Sequence, residues 1–220
     1  KIAAKELASP ITYVVNSCIT QNHFPDVYKK NEISPIFKSK DHLMKTNYRP
    51  VGCSTAISKI IEQLIAGQVK NFFTNLYHDK LSAYRQGTGC ENVIVNVIED
   101  WKKALDNGQI VGTLLMDLSK AFDSLPHKLL IAKLKAYGFS VDACQLIATY
   151  LTNRKQRIKY HGVRSDWSTI IKGIPQGSVL GPIMYNIFIN DLLYKIKENF
   201  YNYADDNTIS VIGILILDIL

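Results

Sequence analysis

Apolar residues recur along this chain at two spacings, and the change from one to the other marks out its elements. Between positions 55 and 77, Ile57, Ile60, Ile61, Leu64, Ile65, Phe72, Phe73 and Leu76 fall three or four residues apart, which predicts an amphipathic helix. Ile94, Val97, Ile98, Trp101 and Leu105 repeat the spacing, and Asn107-Gly108 supplies a stop. The run Ile110-Val111-Gly112-Thr113-Leu114-Leu115-Met116 is short and apolar, so it reads as a strand buried on both faces and running into Asp117. Ser124 can cap a helix with Pro126 in its first turn, Leu130 and Leu134 on one face and Gly138 at its end. Ser140 can cap another, carrying Leu146, Ile147, Tyr150 and Leu151. Residues 157–160, a turn at Gly162 and residues 167–171 suggest a hairpin. Gly173-Ile174-Pro175-Gln176-Gly177 then reads as a loop opening an apolar helix over 179–196. Residues 200–210 form two β-prone arms about Ala204-Asp205-Asp206-Asn207, which has turn character.

With 47% hydrophobic and 20% charged residues in 220, the chain can bury a sizeable core, which excludes disorder, collagen-like repeats and coiled coil. No repeat or low-complexity tract interrupts it, so one continuous folded unit, with room for two lobes, is expected. The net charge of +7 suits a nucleic-acid partner and also suits proteins that bind none. Cys18, Cys53, Cys90 and Cys144 form no CxxC pair and read as buried, reduced thiols. Lys1-Ile2-Ala3-Ala4-Lys5-Glu6 carries neither an initiator Met nor a secretory signal, so the chain reads as a cut piece of an intracellular protein of cytoplasm and nucleus. The apolar tail over 211–220 is shorter than the roughly 20 residues a membrane helix needs. It reads as a truncated buried strand or an aberrant terminus, with no membrane partner.

Chemistry enters through three carboxylates: Asp117 where a strand ends, and Asp205-Asp206 where a hairpin turns. Singly, each is an ordinary cap or turn residue. If the two strands are neighbours the carboxylates converge, and oxygen clusters of this kind hold hard cations for in-line phosphoryl transfer.

Tyr203-Ala204-Asp205-Asp206 resembles the YxDD motif of reverse transcriptases. Upstream, Asp117-Leu118-Ser119-Lys120-Ala121-Phe122-Asp123 resembles that family's first aspartate motif. Between them, Gly173-Ile174-Pro175-Gln176-Gly177-Ser178-Val179-Leu180-Gly181-Pro182 resembles its PQG motif. Ile33-Ser34-Pro35-Ile36-Phe37-Lys38 and Asn47-Tyr48-Arg49-Pro50 are similar to fingers segments of non-LTR (LINE-type) retrotransposon enzymes. The stretch from Gln176 to Pro182 favours that type over group II intron maturases, which usually carry a serine before the proline. Residues 86–92 depart from the Gly-Phe-Arg form common in the family.

The resemblance implies an α+β fold, a right-hand polymerase fragment with fingers and connecting helices at 1–108 and an antiparallel palm sheet packed on helices at 109–220. The family's pattern continues past Ser210 into a primer grip and a helical thumb, so a fragment with the thumb absent is expected, weak or inactive by itself. The implied activity is RNA-directed DNA synthesis, with RNA template, DNA primer and dNTPs as partners and two Mg²⁺ ions, replaceable by Mn²⁺, as cofactors. Asp117, Asp205 and Asp206 take the catalytic and metal-binding roles, with the Leu118 carbonyl as a further ligand. Phe122 matches the steric gate that excludes a 2′-hydroxyl, while Gln176, Lys38 and Arg49 are implied to meet the nucleotide. Asp123 fits a cap on the following helix, and His127 a structural role. Arg154, Lys155, Arg157, Lys159 and Arg164, interleaved with Ile158, Tyr160 and Trp167, fit either a phosphate track or a solvated hairpin face. Two other readings stand beside this one: a degenerate, inactive element copy that at most binds nucleic acid, and a viral RNA-dependent RNA polymerase. Phe122 and Tyr203-Ala204 argue against the second.

Overall fold

A computed structural model describes residues 3–118 and 120–214, so Ser119 of the first aspartate motif and residues 215–220 of the apolar tail lie outside the described residues. In chain order the elements are α1 (Ala4–Thr20), β1 (Lys30–Phe37), β2 (Tyr48–Cys53), α2 (Ala56–Phe73), α3 (Cys90–Asp106), β3 (Ile110–Asp117), α4 (Ala121–Ser124), α5 (His127–Ala136) and α6 (Val141–Leu151), followed by β4 (Lys155–Tyr160), β5 (Val163–Arg164), β6 (Ser168–Thr169), α7 (Gly181–Leu193), β7 (Asn199–Tyr203) and β8 (Asp206–Gly213). The fold is mixed α+β. Its residues group into two compact units, one of Lys1–Lys70 with Phe122–Met184, the other of Asn71–Ala121 with Tyr185–Leu220. The units therefore interleave along the chain.

In the first unit the sheet order is β2-β1-β4-β5, with β6 also on β4. β1 pairs β2 antiparallel, Pro35 opposite Pro50, and pairs β4 in parallel from Lys30↔Lys155 to Ile33↔Ile158. Prolines inside both strands hide them from a sequence reading, because proline cannot donate to a ladder. Pro35 lies beyond the stretch paired with β4, so its missing N–H costs nothing on that side. α5 and α6 bury Leu130, Leu134, Leu146, Ile147, Tyr150 and Leu151. Phe24 meets the Tyr150 ring edge-on at 5.0 Å, and its N–H donates to Thr149 Oγ1 at 3.0 Å, tying the segment after α1 to α6.

In the second unit β3, β8 and β7 form an antiparallel sheet in that order. α3 fastens to it through Trp101 Nε1, which donates to Ser210 Oγ at 2.8 Å, and Asp100 Oδ2, which accepts from the Tyr201 hydroxyl at 2.7 Å. Burial, helped by Asp100, raises the Tyr201 phenol above its usual range, so it remains a donor.

Three expectations change. Among the described residues β3 stands at the sheet's edge, and it is not buried on both faces: Leu114 is 56% and Leu115 76% exposed. A short apolar run identifies a strand without saying which side lacks a neighbour. Ser124 ends α4 and does not cap α5, whose cap position is taken by Pro126 with no side-chain bond. Cys53 and Cys90 are exposed, while Cys18 and Cys144 are buried, and all four are unpaired. No described helix is long and apolar enough to cross a membrane.

Ser140 does cap α6, accepting from the Ala143 N–H at 3.2 Å. Ser140→Ala is therefore expected to lower stability by about 1 kcal/mol in denaturant unfolding. Ser124→Ala is expected to stay within about 0.5 kcal/mol of the parent.

Candidate active site

The hairpin of β7 and β8 turns through only Ala204 and Asp205, since Tyr203 and Asp206 are already ladder partners. Such two-residue turns need positive φ, and Ala204 has φ 55°. A side chain there is strained, and hydrogen bonds hold it. The Ala204 carbonyl accepts from the Tyr185 hydroxyl at 3.2 Å and from Asn202 Nδ2 at 2.9 Å. The Asp205 carbonyl accepts from Asn207 Nδ2 at 3.0 Å and from the Leu118 N–H at 3.3 Å. Asn202 Nδ2 also donates to Asn207 Oδ1 at 2.9 Å, and Tyr185, Asn202 and Asn207 are all buried. Burial first, then the Asp205 charge, pushes the Tyr185 phenol above its usual range, so it keeps the proton it donates.

The β3–β8 ladder runs from Ile110↔Gly213 to Asp117↔Asp206. Directly opposed residues share a face, so the Asp117 and Asp206 carboxyls emerge side by side at the sheet's end, with Asp205 in the adjoining turn. The register thus makes Asp206 the direct partner of Asp117. The Leu118 carbonyl already accepts from the Ala121 N–H at 3.0 Å, leaving one lone pair for another donor or a cation. Among the described residues, no group of three or more acidic, His or Cys side chains is placed to hold a metal ion as it stands. The donor type fits a hard dication, being carboxylate and carbonyl oxygen on rigid backbone.

Phe122, Gln176, Lys38 and Arg49 belong to the first unit. Phe122 is half-buried in α4, and its carbonyl accepts from the Ile174 N–H at 2.8 Å. Gly173, with φ 83°, donates to the Leu125 carbonyl at 2.8 Å, and its own carbonyl meets His127 Nε2 at 2.6 Å. His127 thus has the structural role expected. Gln176 Nε2 donates to Asp123 Oδ1 at 3.0 Å, so Asp123 orients Gln176. On its other side the loop lies against β2: a Cβ on Gly52 would stand 2.2 Å from the Gln176 carbonyl oxygen, and one on Gly177 2.3 Å from that of Gly52. Lys38 and Arg49 are exposed at one end of the β1–β2 ladder, where Arg49 faces Ile36 and the Lys38 N–H donates to the Asn47 carbonyl.

The basic hairpin divides. Arg154 is 1% exposed, with Nη1 donating to the Tyr150 carbonyl at 3.0 Å and its guanidinium 4.7 Å from the Tyr150 ring centroid. Burial among α6 residues takes it off any phosphate track. Arg157 and Arg164 both donate to Glu32 Oε1, Arg157 through Nε at 2.9 Å and also through Nη2, and Arg164 through Nε at 3.1 Å. Arg157 also lies 4.4 Å from the Trp167 ring centroid, a cation–π contact. Lys155 and Lys159 are exposed.

Residues 29–214 match the family described as "Reverse transcriptase (RNA-dependent DNA polymerase)". The chain belongs to the reverse transcriptase family. Among curated relatives of this reverse transcriptase domain is the probable RNA-directed DNA polymerase from transposon X-element of Drosophila melanogaster, 29% identical over 89% of this chain and 22% of that protein. The RNA-directed DNA polymerase from mobile element jockey of Drosophila funebris is 29% identical over 83% of this chain and 20% of that protein. The chain therefore spans about a fifth of the length of these relatives, which bear out the resemblance to LINE-type elements. Among solved structures, apo telomerase from Candida tropicalis matches with a TM-score of 0.60 at 11% identity, over 88% of this chain and 45% of that one. Telomerase from Candida albicans, in complex with a fragment of telomeric RNA, also scores 0.60, at 12% identity over 89% and 40%. These likenesses establish the polymerase palm-and-fingers fold.

Sequence reading of this reverse transcriptase domain missed Asn202, Asn207, Tyr185 and Glu62. The asparagines sit one in each arm of the hairpin, at positions where a strand usually carries apolar residues, and that oddity was the available signal.

Gly177→Ala places a Cβ at positive φ against backbone, and Gly52→Ala places one against the Gln176 carbonyl. Each is expected to cost more than about 1 kcal/mol of stability. Gly67→Ala on α2, with nothing within 4 Å of the added Cβ, is expected to gain about 0.5–1 kcal/mol by thermal or denaturant unfolding. The Arg157 hydrogen bond holds the Glu32 carboxyl below its ordinary 4.5, so this contribution is full above that value and is lost as pH falls through the lowered one. The Tm deficit of Glu32→Gln at neutral pH is expected to be small, salt-screened, and to close on that acid side.

Proposed function

We propose that this chain is the palm-and-fingers part of a LINE-type reverse transcriptase that adds deoxynucleotides to a DNA primer on an RNA template, acting inside the cell in cytoplasm and nucleus. The observation that carries the reading is the placement of Asp117 opposite Asp206 with Asp205 in a hydrogen-bonded turn between β7 and β8. Carboxylates so placed suit the transfer of a nucleotidyl group, in which the primer 3′-oxygen bonds the α-phosphorus and pyrophosphate leaves. Bound divalent cations, two Mg²⁺ or Mn²⁺ in their place, would activate the attacking oxygen and stabilise the leaving one. Asp117, Asp205, Asp206 and the Leu118 carbonyl are the groups that would hold them. Phe122 excludes the 2′-hydroxyl of a ribonucleotide, Gln176 lies against the nascent pair, and Lys38 and Arg49 meet the triphosphate, where the planar arginine fork suits phosphate oxygens. Lys155 and Lys159 supply exposed charge for backbone phosphates, an attraction that weakens with salt.

The test is single-nucleotide addition to an RNA-templated DNA primer at low salt with protein in excess. Template-directed, Mg²⁺-dependent addition is expected, reduced by at least about a hundredfold in Asp117→Asn and Asp205→Asn. Phe122→Ala is expected to accept ribonucleotides while keeping deoxynucleotide addition. No addition by the parent, or equal addition by Asp205→Asn, would reject the reading in favour of an inactive element copy.

A further inference from the structure

Glu62 is an acid with no exposed surface on α2, a helix whose other buried residues in the same unit include Ile61, Ile65, Ala66 and Val69. A carboxyl in such a place needs partners; among the described residues its hydrogen-bonded ones lie in the loop of residues 173–180 and on α2 itself, and the buried Tyr150 of α6 stands beside it, its phenol raised by burial and then by the Glu62 charge. Oε2 accepts from the Val179 N–H at 2.7 Å and from the Leu180 N–H at 3.4 Å. Oε1 accepts from the Ser58 hydroxyl at 3.0 Å, one turn earlier on α2. Oε2 can only accept from the two backbone amides, which have no lone pair to offer. The next amide along, Gly181 N–H, is taken by Ser178 Oγ at 3.0 Å. Three successive N–H groups at the entry to α7 are thus satisfied, two of them by one acid, which also sits favourably at the helix's positive end.

The loop fastened in this way is the one that carries Gln176. Its near end is held to the chain around Phe122 and Asp123 by the Gly173 and Ile174 amides, and its middle rests on the Gly52 backbone. Glu62 supplies the remaining fixed point, at the far end. Without it, Val179 and Leu180 would be two half- to fully buried amides with no acceptor, and the loop would shift to find water.

We propose that Glu62 is a positioning residue for the nucleotide site: it sets the placement of Gln176 through the Val179 and Leu180 amides, and so sets the affinity for the incoming nucleotide without touching it. The proposal rests on the polymerase reading for its kinetic consequence and on geometry alone for the clamp. Charge-assisted hydrogen bonds contribute enough that losing the pair is expected to raise the KM for dNTP by about tenfold or more, with a smaller fall in kcat.

The experiment compares the parent chain with Glu62→Gln, Glu62→Asp and Glu62→Ala by amide hydrogen exchange at Val179 and Leu180 and by dNTP dependence of single-nucleotide addition. Gln keeps an acceptor at the same reach and is expected to hold both protection and KM within about threefold of the parent. Asp keeps the buried charge but withdraws it by one methylene, and it is expected to lose protection at the two amides and to raise KM. This variant decides the matter if Glu62→Ala does not fold. Protection unchanged in Asp, or Gln as damaging as Ala, would overturn the proposal, because only a buried volume or charge would then matter. A parent that adds no nucleotide would defeat the polymerase reading, and the exchange data would still judge the clamp.

Discussion

The antiparallel ladder between β3 and β8 is the constraint from which the arrangement of the three aspartates follows. Side chains alternate faces along a strand, so a slip of one residue in this register would send Asp117 and Asp206 to opposite sides of the sheet. Eight paired residues from Ile110 to Asp117 hold it, and the Leu118 N–H extends it to the Asp205 carbonyl. The turn that positions Asp205 is the least relaxed part, with Ala204 at positive φ. Its two carbonyls each accept two hydrogen bonds from Tyr185, Asn202, Asn207 and Leu118. The network is buried and Asn202 Oδ1 within it has no hydrogen-bond partner among the described residues, a cost borne where the other bonds keep a strained turn in one shape.

The loop carrying Gln176 is held by a different device. It is bound to the chain around Phe122 through backbone hydrogen bonds and lies against Gly52 at a separation no Cβ would allow. Glycine at positions 52 and 177 is therefore a matter of space, and at 177 of φ as well. Gln176 and Asp123 then meet as side chains because the backbone beneath them is already fixed.

Charge is the property that composition describes least well. The chain carries an excess of seven positive charges, yet Arg154 is buried against Tyr150 of α6 and both Arg157 and Arg164 close onto Glu32. The exposed charge of the hairpin is left mainly with Lys155 and Lys159, with Arg157 also engaged by Trp167. A run of basic residues is continuous in sequence, but alternation along β4 and the parallel neighbour β1 distribute it among different surroundings.

Local chemistry alone determined much of this protein. The helical spacings of α2 and α3, the Ser140 cap, the strand ending at Asp117 and the hairpin at Ala204 follow from interactions between residues close along the chain, and these a sequence displays. The three motifs, read in order, likewise identified the family to which residues 29–214 belong. What only the tertiary structure decided depends on residues far apart: the pairing of β1 with β4, the edge position of β3, the burial of Arg154 and Glu62, and the choice of Asp206 as the partner facing Asp117. Each is a matter of which surfaces and polar groups satisfy one another after the chain has closed on itself. Periodicity and motif spacing carry no record of that closure, so a buried acid on an amphipathic helix looks like any solvated one until its partners are in place.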